Sequence, residues 1–181
     1  AQNARNIAVT GRGTLNGLAQ YEMREMRGVD GRITKEIELA REAGVDMRRY
    51  YRSQHAMNTY MFIVNDATNF LLEGVSIIHS PLWTVRLNDC DRVFIRGVYL
   101  YSDLEKGVNA DGIDICSSTN VTISDSVIIT ADDSIVIKSV SRNDKKANPC
   151  RNITVTNCVL TSSSTPLKIG TETVETEISH V

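Results

Sequence analysis

Apolar residues recur in one fixed pattern in four segments of the chain, which begin at Asn69, Arg92, Asn120 and Asn152. The segments align without gaps, and in each of them the second, fourth, seventh and ninth positions are apolar or small. Alternation with a period of two residues is typical of β-strands. The phase changes between the fourth and seventh positions, which predicts a bend there. Turn-forming residues occupy the bends: Gly74, Gly97, Asp125 and Asn157.

A third apolar run follows in every repeat, over residues 83–87, 112–115, 134–138 and 166–169. The repeats begin 23, 28 and 32 residues apart, and three short strands in that length are typical of one coil of a parallel β-helix. An immunoglobulin-like sandwich also has many short strands, but it does not need columns of matching residues. We therefore predict an all-β, right-handed single-stranded parallel β-helix, with Asn69, Asn120 and Asn152 in an amide ladder at one corner.

The two ends of the chain read as strand-like runs, at residues 6–9 and 177–181, rather than as caps. We expect residues 1–181 to be part of one β-helix domain that is truncated at both ends. Residues 18–60 are charge-rich and break the pattern as an irregular insertion. Within it, residues 34–43 are predicted to form a short helix, which Thr34 caps and Gly44 ends. We expect Arg48, Arg49 and Arg52 to form a solvated face, and contact with an acidic substrate is the alternative.

The composition is that of a folded protein, with 41% hydrophobic and 23% charged residues and a net charge of −2. Such a balance creates no field that attracts nucleic acid or an anionic membrane, and no apolar run is long enough to cross a bilayer. We expect a monomer with neither partner.

The four cysteines lack metal-ligand spacing. Cys116 and Cys158 lie in apolar runs and are expected to be buried thiols, and a disulfide that involves Cys90 or Cys150 is the alternative.

Stacked coils would bring a column of residues together just before the third strands: Trp83, Asp111, Asp133 and Thr165. Asp111 and Asp133 would then lie roughly 5 Å apart, with Asp132 beside them. Like charges opposite each other destabilise a sheet, whereas glycosidic hydrolysis needs one protonated and one ionised carboxyl group. The alternative is that these aspartates only form turns. Strict alternation from Ile113 and Ile135 would point Asp111 and Asp133 inward, so a bend must turn them out.

Two motifs carry a resemblance to a known family. Residues 109–114 (Asn-Ala-Asp-Gly-Ile-Asp) resemble the N-T-D-G motif of glycoside hydrolase family 28, the polygalacturonases and their relatives, and residues 131–138 resemble its D-D motif. Residues 80–85 are also similar to a family segment. The resemblance implies a secreted or periplasmic enzyme of the pectin lyase-like fold that cleaves a pectic polysaccharide, of galacturonate or rhamnogalacturonan type, with inversion.

The resemblance also implies roles for individual residues. Asp132 would be the general acid, Asp111 and Asp133 would activate the attacking water, and Asn109 would shape the cleft. Inversion implies a gap of about 6.5–9.5 Å between acid and base, with Asp132 set apart from the other two. No metal and no organic cofactor are implied.

The chain departs from the family where the G-H-G motif is expected, since residues 164–166 read Ser-Thr-Pro and Thr165 replaces the histidine. The later R-I-K motif would lie beyond Val181. His79 and His180 are expected to be surface or turn residues rather than substitutes. The sequence therefore indicates an atypical branch of the family.

Three further residues are candidates for substrate binding. Lys138 and Lys168 lie at outward positions of their strands, where they either pair with uronate carboxylates or form part of a solvated face. Trp83 either stacks on a sugar or packs at the start of its strand.

Two other functions stay open at this point. A polysaccharide lyase or epimerase would use a basic residue and commonly Ca²⁺, and a non-catalytic β-helix would bind carbohydrate without cleaving it.

Overall fold

The computed structural model describes residues 1–19, 23–25, 38–44, 53–55, 59–104, 107, 109–140, 142, 146–170, 172–174 and 176–181. Three parallel sheets run along one axis, and the chain visits them in turn, coil after coil. Each coil returns the chain to its starting sheet one strand further on, which is the topology of a right-handed parallel β-helix. The predicted fold class is confirmed.

The first sheet contains six strands, which are β1 (Arg5–Thr10), β6 (Thr68–Glu73), β9 (Asp91–Arg96), β12 (Thr119–Ser124), β15 (Cys150–Thr156) and β18 (Ile178–Ser179). The second sheet contains β2 (Thr14–Asn16), β7 (Ser76–Ile78), β10 (Tyr99–Tyr101), β13 (Val127–Thr130) and β16 (Val159–Ser162). The third sheet contains β5 (Phe62–Asn65), β8 (Val85–Asn88), β11 (Ile113–Cys116), β14 (Ile135–Lys138) and β17 (Leu167–Ile169).

The residues that the repeat aligns in columns are the residues that pair between neighbouring strands of each sheet. Val121 pairs with Val93 on one side and with Ile153 on the other. Inward side chains stack in rows inside the coils, and most rows are closed to solvent, as at Leu72, Ile95 and Ile123. Burial of these rows is the main driving force for stacking the coils.

The corners use residues that tolerate a left-handed backbone. Positive φ angles occur at Asn69 (62°), Asn120 (54°) and Asn152 (56°). Asn152 Nδ2 donates to Asn120 Oδ1 at 2.8 Å, and Asn69 Nδ2 donates to Asn6 Oδ1 at 2.8 Å. The predicted ladder therefore forms in two parts. Arg92 interrupts it, because this residue occupies the same column without an amide.

The bends between the first and second sheets also have positive φ angles. The values are 75° at Gly74, 61° at Gly97, 54° at Asp125 and 49° at Asn157. At Gly74 a Cβ atom would lie 2.5 Å from the carbonyl oxygen of Gly11 on the neighbouring coil, so that position requires glycine.

The insertion between β2 and β5 contains the antiparallel pair β3 (Met23–Glu25) and β4 (Ser53–His55) and a helical turn over residues 38–42. Gly44 has a φ of 66° directly after this turn, as a helix-ending glycine does. The predicted start of the helix at Thr34 lies outside the described residues, as do Arg48, Arg49 and Arg52. Among the helices that can be described, none is long and apolar enough to cross a membrane.

All four cysteines are free thiols. Cys90, Cys116 and Cys150 are buried and Cys158 is half-buried. The disulfide alternative for Cys90 and Cys150 is therefore wrong in this structure, and the thiols act as small apolar side chains.

Candidate active site

The predicted column of site residues exists at the corner where the chain passes from the second sheet to the third. Thr84 N donates to the carbonyl oxygen of Asp111 at 2.8 Å, and Gly112 N donates to that of Asp133 at 2.9 Å. Ser134 N donates to the carbonyl oxygen of Thr165 at 3.1 Å. These backbone bonds continue the ladder of the third sheet past its strand ends. They hold Trp83, Asp111, Asp133 and Thr165 at one level on successive coils.

Three aspartates meet at this corner. One carboxylate oxygen from each of Asp111, Asp132 and Asp133 lies within 4.8 Å of the other two. Asp111 and Asp133 are each 4% exposed, and Asp132 is half-buried. The closest oxygens are thus nearer to one another than the gap of about 6.5–9.5 Å between acid and base that inversion implies.

The bend before the third strands turns the carboxylates outward. Inward alternation from Ile135 would place Asp133 in the core, yet its Oδ2 lies 2.7 Å from Lys168 Nζ. Lys168 pairs in register with Val136, between the inward pairs Leu167–Ile135 and Ile169–Ile137, so it belongs to the outer face of the third sheet. Asp133 therefore faces the outside of the coil.

Gly112 permits the close stacking that this corner needs. A Cβ atom on Gly112 would lie 2.4 Å from the carbonyl oxygen of Ser134 and 2.7 Å from Ile128 Cγ2. The backbone after Asp111 thus runs directly against the backbone after Asp133. The glycine that follows Asp111 in the motif is required by this approach.

Hydroxyl groups fix the backbone on either side of the cluster. Thr130 Oγ1 and Ser162 Oγ donate to the carbonyl oxygen of Asp132 at 2.8 and 2.6 Å. Ser102 Oγ accepts from Ala131 N at 2.8 Å and donates to the carbonyl oxygen of Ala110 at 3.1 Å. Ser102 therefore ties together the two backbones that lead into Asp111 and Asp132. Ser102 could not be predicted from the sequence as part of the site, because an isolated serine after a strand carries no signal of its own.

Both oxygens of Asp133 have partners. Oδ2 accepts from the Lys168 ammonium group, and Oδ1 accepts from Thr165 N at 3.1 Å. The hydrogen bond to Asp133 raises the pKa of Lys168, and the charges of Asp132 and Asp111 raise it further. Clustered carboxylates can also hold a cation, but here the protein itself supplies a positive charge.

Asp111 lies in a different environment from Asp133. Its Oδ1 is closed to solvent and, among the described residues, has no hydrogen-bond partner. Burial raises the pKa of Asp111 to about 8, and the charges of Asp114 and Asp132 add to this effect. Asp111 therefore carries a proton at neutral pH, whereas Asp133 has a cation against it.

A buried ion pair lies beside the cluster. Asp114 is fully buried, and its Oδ1 lies 2.9 Å from Lys138 Nζ. Burial raises the pKa of Asp114 to about 7, against the opposing charge of Lys138. Lys138 is itself only 3% exposed, so the alternative of a solvated lysine is wrong at this position. The exposed Glu172 lies 3.3 Å from the same ammonium group.

Trp83 covers this ion pair. The Lys138 ammonium group lies 3.8 Å from the centroid of the Trp83 ring, and the Arg86 guanidinium group lies 4.9 Å from it. Trp83 Nε1 donates to Oδ1 of the exposed Asn109 at 3.2 Å. Packing at the start of the strand thus describes Trp83 in this structure, and stacking on a sugar stays a prediction, as does substrate binding by Asn109.

The two histidines that the sequence left as surface or turn residues have positive φ angles, 53° at His79 and 54° at His180. His79 packs edge-on against Tyr101, and His180 Nδ1 lies 3.0 Å from Asn152 Oδ1. Both are turn residues, as expected.

A parallel β-helix that presents three clustered aspartates on the outside of its coils has the paired carboxyl groups that hydrolysis of a glycosidic bond uses. The family model of the glycosyl hydrolases family 28 matches residues 47–162, which include the whole aspartate cluster. The chain therefore belongs to glycosyl hydrolases family 28.

Individual proteins agree with this assignment. An endo-polygalacturonase of Pectobacterium carotovorum is 30% identical over 82% of this chain and 34% of its own length. A probable polygalacturonase of Arabidopsis thaliana is 36% identical over 41% of this chain and 16% of its own length. A hyperthermoactive exopolygalacturonase of Thermotoga maritima has the same fold, with a TM-score of 0.59 at 24% identity over 95% of this chain and 42% of the other. The chain thus spans about a third or less of the length of the two curated relatives, the Pectobacterium and Arabidopsis proteins.

Proposed function

We propose that this chain is the catalytic part of a secreted or periplasmic glycoside hydrolase that cleaves a pectic polysaccharide rich in galacturonate. The observation that carries the proposal is the meeting of Asp111, Asp132 and Asp133 within 4.8 Å in unequal environments. Glycosidic hydrolysis needs a carboxyl group that gives a proton and a carboxylate that takes one. The names of the polygalacturonase relatives support galacturonate as the sugar.

The roles are those that the family resemblance implies, and the exposure of Asp132 is compatible with them. Asp132 is the half-buried member of the cluster, and it protonates the glycosidic oxygen as the bond to the anomeric carbon breaks. Asp133, with Lys168 against it, takes a proton from the water that attacks the same carbon. Asp111 lies beside Asp133 and helps to hold that water. Asn109 and Trp83 form one wall of the cleft.

The state of the two lysines favours hydrolysis over elimination by a lyase. A lyase would need a basic residue without its proton next to the uronate. Lys138 and Lys168 each lie against an aspartate, at 2.9 and 2.7 Å. The charge of Asp114 raises the pKa of Lys138 against its burial, and the hydrogen bond to Asp133 raises that of Lys168. Both ammonium groups keep their protons and are poor bases.

The stereochemistry is the point on which resemblance and spacing differ. The family resemblance implies inversion, which we adopt, whereas the closest oxygens are nearer to the ~5–5.5 Å spacing of retaining enzymes than to the ~6.5–9.5 Å of inverting ones. Proton NMR of the first reducing ends released from an oligogalacturonate separates the two. A product with the opposite anomeric configuration from the substrate is expected, and retention would contradict this part of the proposal.

The decisive experiment measures reducing ends released from polygalacturonate and from rhamnogalacturonan by the full protein that carries this chain. Asp132→Asn is expected to lower kcat by about 10²–10⁴-fold, because general acid catalysis supplies that much. Asp125→Asn is the matched control, since Asp125 lies at an exposed corner and its left-handed backbone suits asparagine. A loss below tenfold for Asp132→Asn removes the acid assignment. An unsaturated product indicates a lyase instead, and binding without turnover indicates a carbohydrate-binding protein.

A further inference from the structure

The family histidine is missing from the coil after Asp133, and the structure provides a different cation at that place. Thr165 occupies the column position next to Asp133 and donates only its backbone N–H to Oδ1. Three residues further along the chain, on the outer face of β17, Lys168 donates to Oδ2 at 2.7 Å. Both oxygens of Asp133 are therefore held from the same coil, one by a neutral donor and one by a charged donor.

Lys168 is already paired with Asp133, so its ammonium group is not available to bind an incoming substrate. The side chain of Asp133 is 6% exposed and that of Lys168 is 33% exposed, so this ammonium group is the solvent-facing half of the pair. A uronate that drew Lys168 away would leave a buried carboxylate without its cation, which is costly. Among the described residues, the other charged groups that act on Lys168 are Asp132 and Asp111. Further along the face, Lys138 is the shared cation of Asp114 and Glu172.

We propose that Lys168 is a positioning residue which replaces the missing histidine, because its ammonium group lies against the Asp133 carboxylate and holds it in place for activation of the attacking water. The inference rests on the proposed hydrolase function and adds a pH signature to it. Imidazole loses its charge near pH 6.5, whereas lysine keeps its charge to about pH 10. Activity in this protein is therefore free of the alkaline loss that deprotonation of a histidine in this role would cause.

Steady-state kinetics of the full protein on polygalacturonate test the role across a pH series. Lys168→Met is expected to lower kcat at least tenfold while KM changes less than about twofold, since the lost interaction acts on the water and not on substrate binding. Lys168→Arg keeps the charge and retains most of kcat. Lys168→His is active at low pH and loses activity as pH rises through about 6.5. Lys146→Met is the matched control, because Lys146 is exposed.

Two kinetic results would overturn the proposal. One is a raised KM with unchanged kcat in Lys168→Met, which identifies a substrate ligand. The other is a Lys168→His variant whose pH profile matches that of the wild type.

A second readout does not depend on turnover. NMR titration of the Lys168 side chain is expected to give a lower pKa in Asp133→Asn than in the wild type, because the hydrogen bond to Asp133 raises that pKa. Asp125→Asn leaves it unchanged. A Lys168 pKa that does not respond to Asp133→Asn overturns the pairing on which the proposal depends. A folded protein that cleaves no pectic polymer, yet shows the response, contradicts the hydrolase function and leaves the pairing in place.

Discussion

Replacing Asp111 with asparagine is expected to stabilise the protein at alkaline pH while it abolishes most activity. Burial raises the pKa of Asp111 from 3.8 to about 8 in the folded chain. Between these two values the folded state binds a proton that the unfolded state has lost, so wild-type stability falls as pH rises. At about 1.36 kcal/mol per pKa unit, the difference between 3.8 and about 8 corresponds to roughly 6 kcal/mol. This is an upper limit, because water that enters the cleft lowers the cost of the ionised form.

Asparagine has nearly the shape of a protonated aspartate and does not ionise. The difference in stability between Asp111→Asn and the wild type should therefore be near zero at about pH 4, grow as pH rises, and level off above about pH 8. Urea unfolding of both proteins at a series of pH values measures this difference in stability. Asp125→Asn is the control for an exposed aspartate: the hydrogen bond from Asn157 lowers the pKa of Asp125, so the effect of this substitution does not grow above about pH 5. A difference between Asp111→Asn and the wild type that does not change with pH would refute the buried, protonated Asp111.

Two further predictions concern the groups that support the cluster. Lys138→Met should lower the free energy of unfolding by about 3–5 kcal/mol at pH 8, because it leaves Asp114 buried without its cation. Adding Asp114→Asn to the same chain should recover much of that stability. Urea unfolding of the single and double variants measures both effects, and additive losses would contradict the pairing. Gly112→Ala should cost at least about 1–3 kcal/mol, because its Cβ atom would lie 2.4 Å from the Ser134 carbonyl oxygen. It should also lower kcat by displacing Asp111. Gly13→Ala is the matched control, because its φ, like that of Gly112, is not in the left-handed region and its Cβ atom would meet nothing within 4 Å. Unchanged stability and kcat in Gly112→Ala would show that the coils can separate there at little cost.

The local pattern of apolar and polar residues was sufficient to predict the strands of each coil and their register. Alternation places Val93, Val121 and Ile153 on one side of their strands, and the repeat places them at equal positions, so burial and register agree without any further information. The same repeat brings Asp111 and Asp133 into one column. The repeat also predicted the asparagine ladder, except for its interruption at Arg92.

Only the tertiary structure decided how the charges around the cluster are matched. Lys138 and Lys168 look alike in the sequence, as outward lysines near the ends of successive third strands. One lies buried against Asp114 beneath Trp83, and the other neutralises Asp133 at the cleft. The alternation of apolar and polar residues predicts on which face of a sheet a side chain lies, but not which residues pack over that face. Partners of a long, flexible lysine depend on groups from other coils, and for that reason the candidate site had to be read from the folded chain.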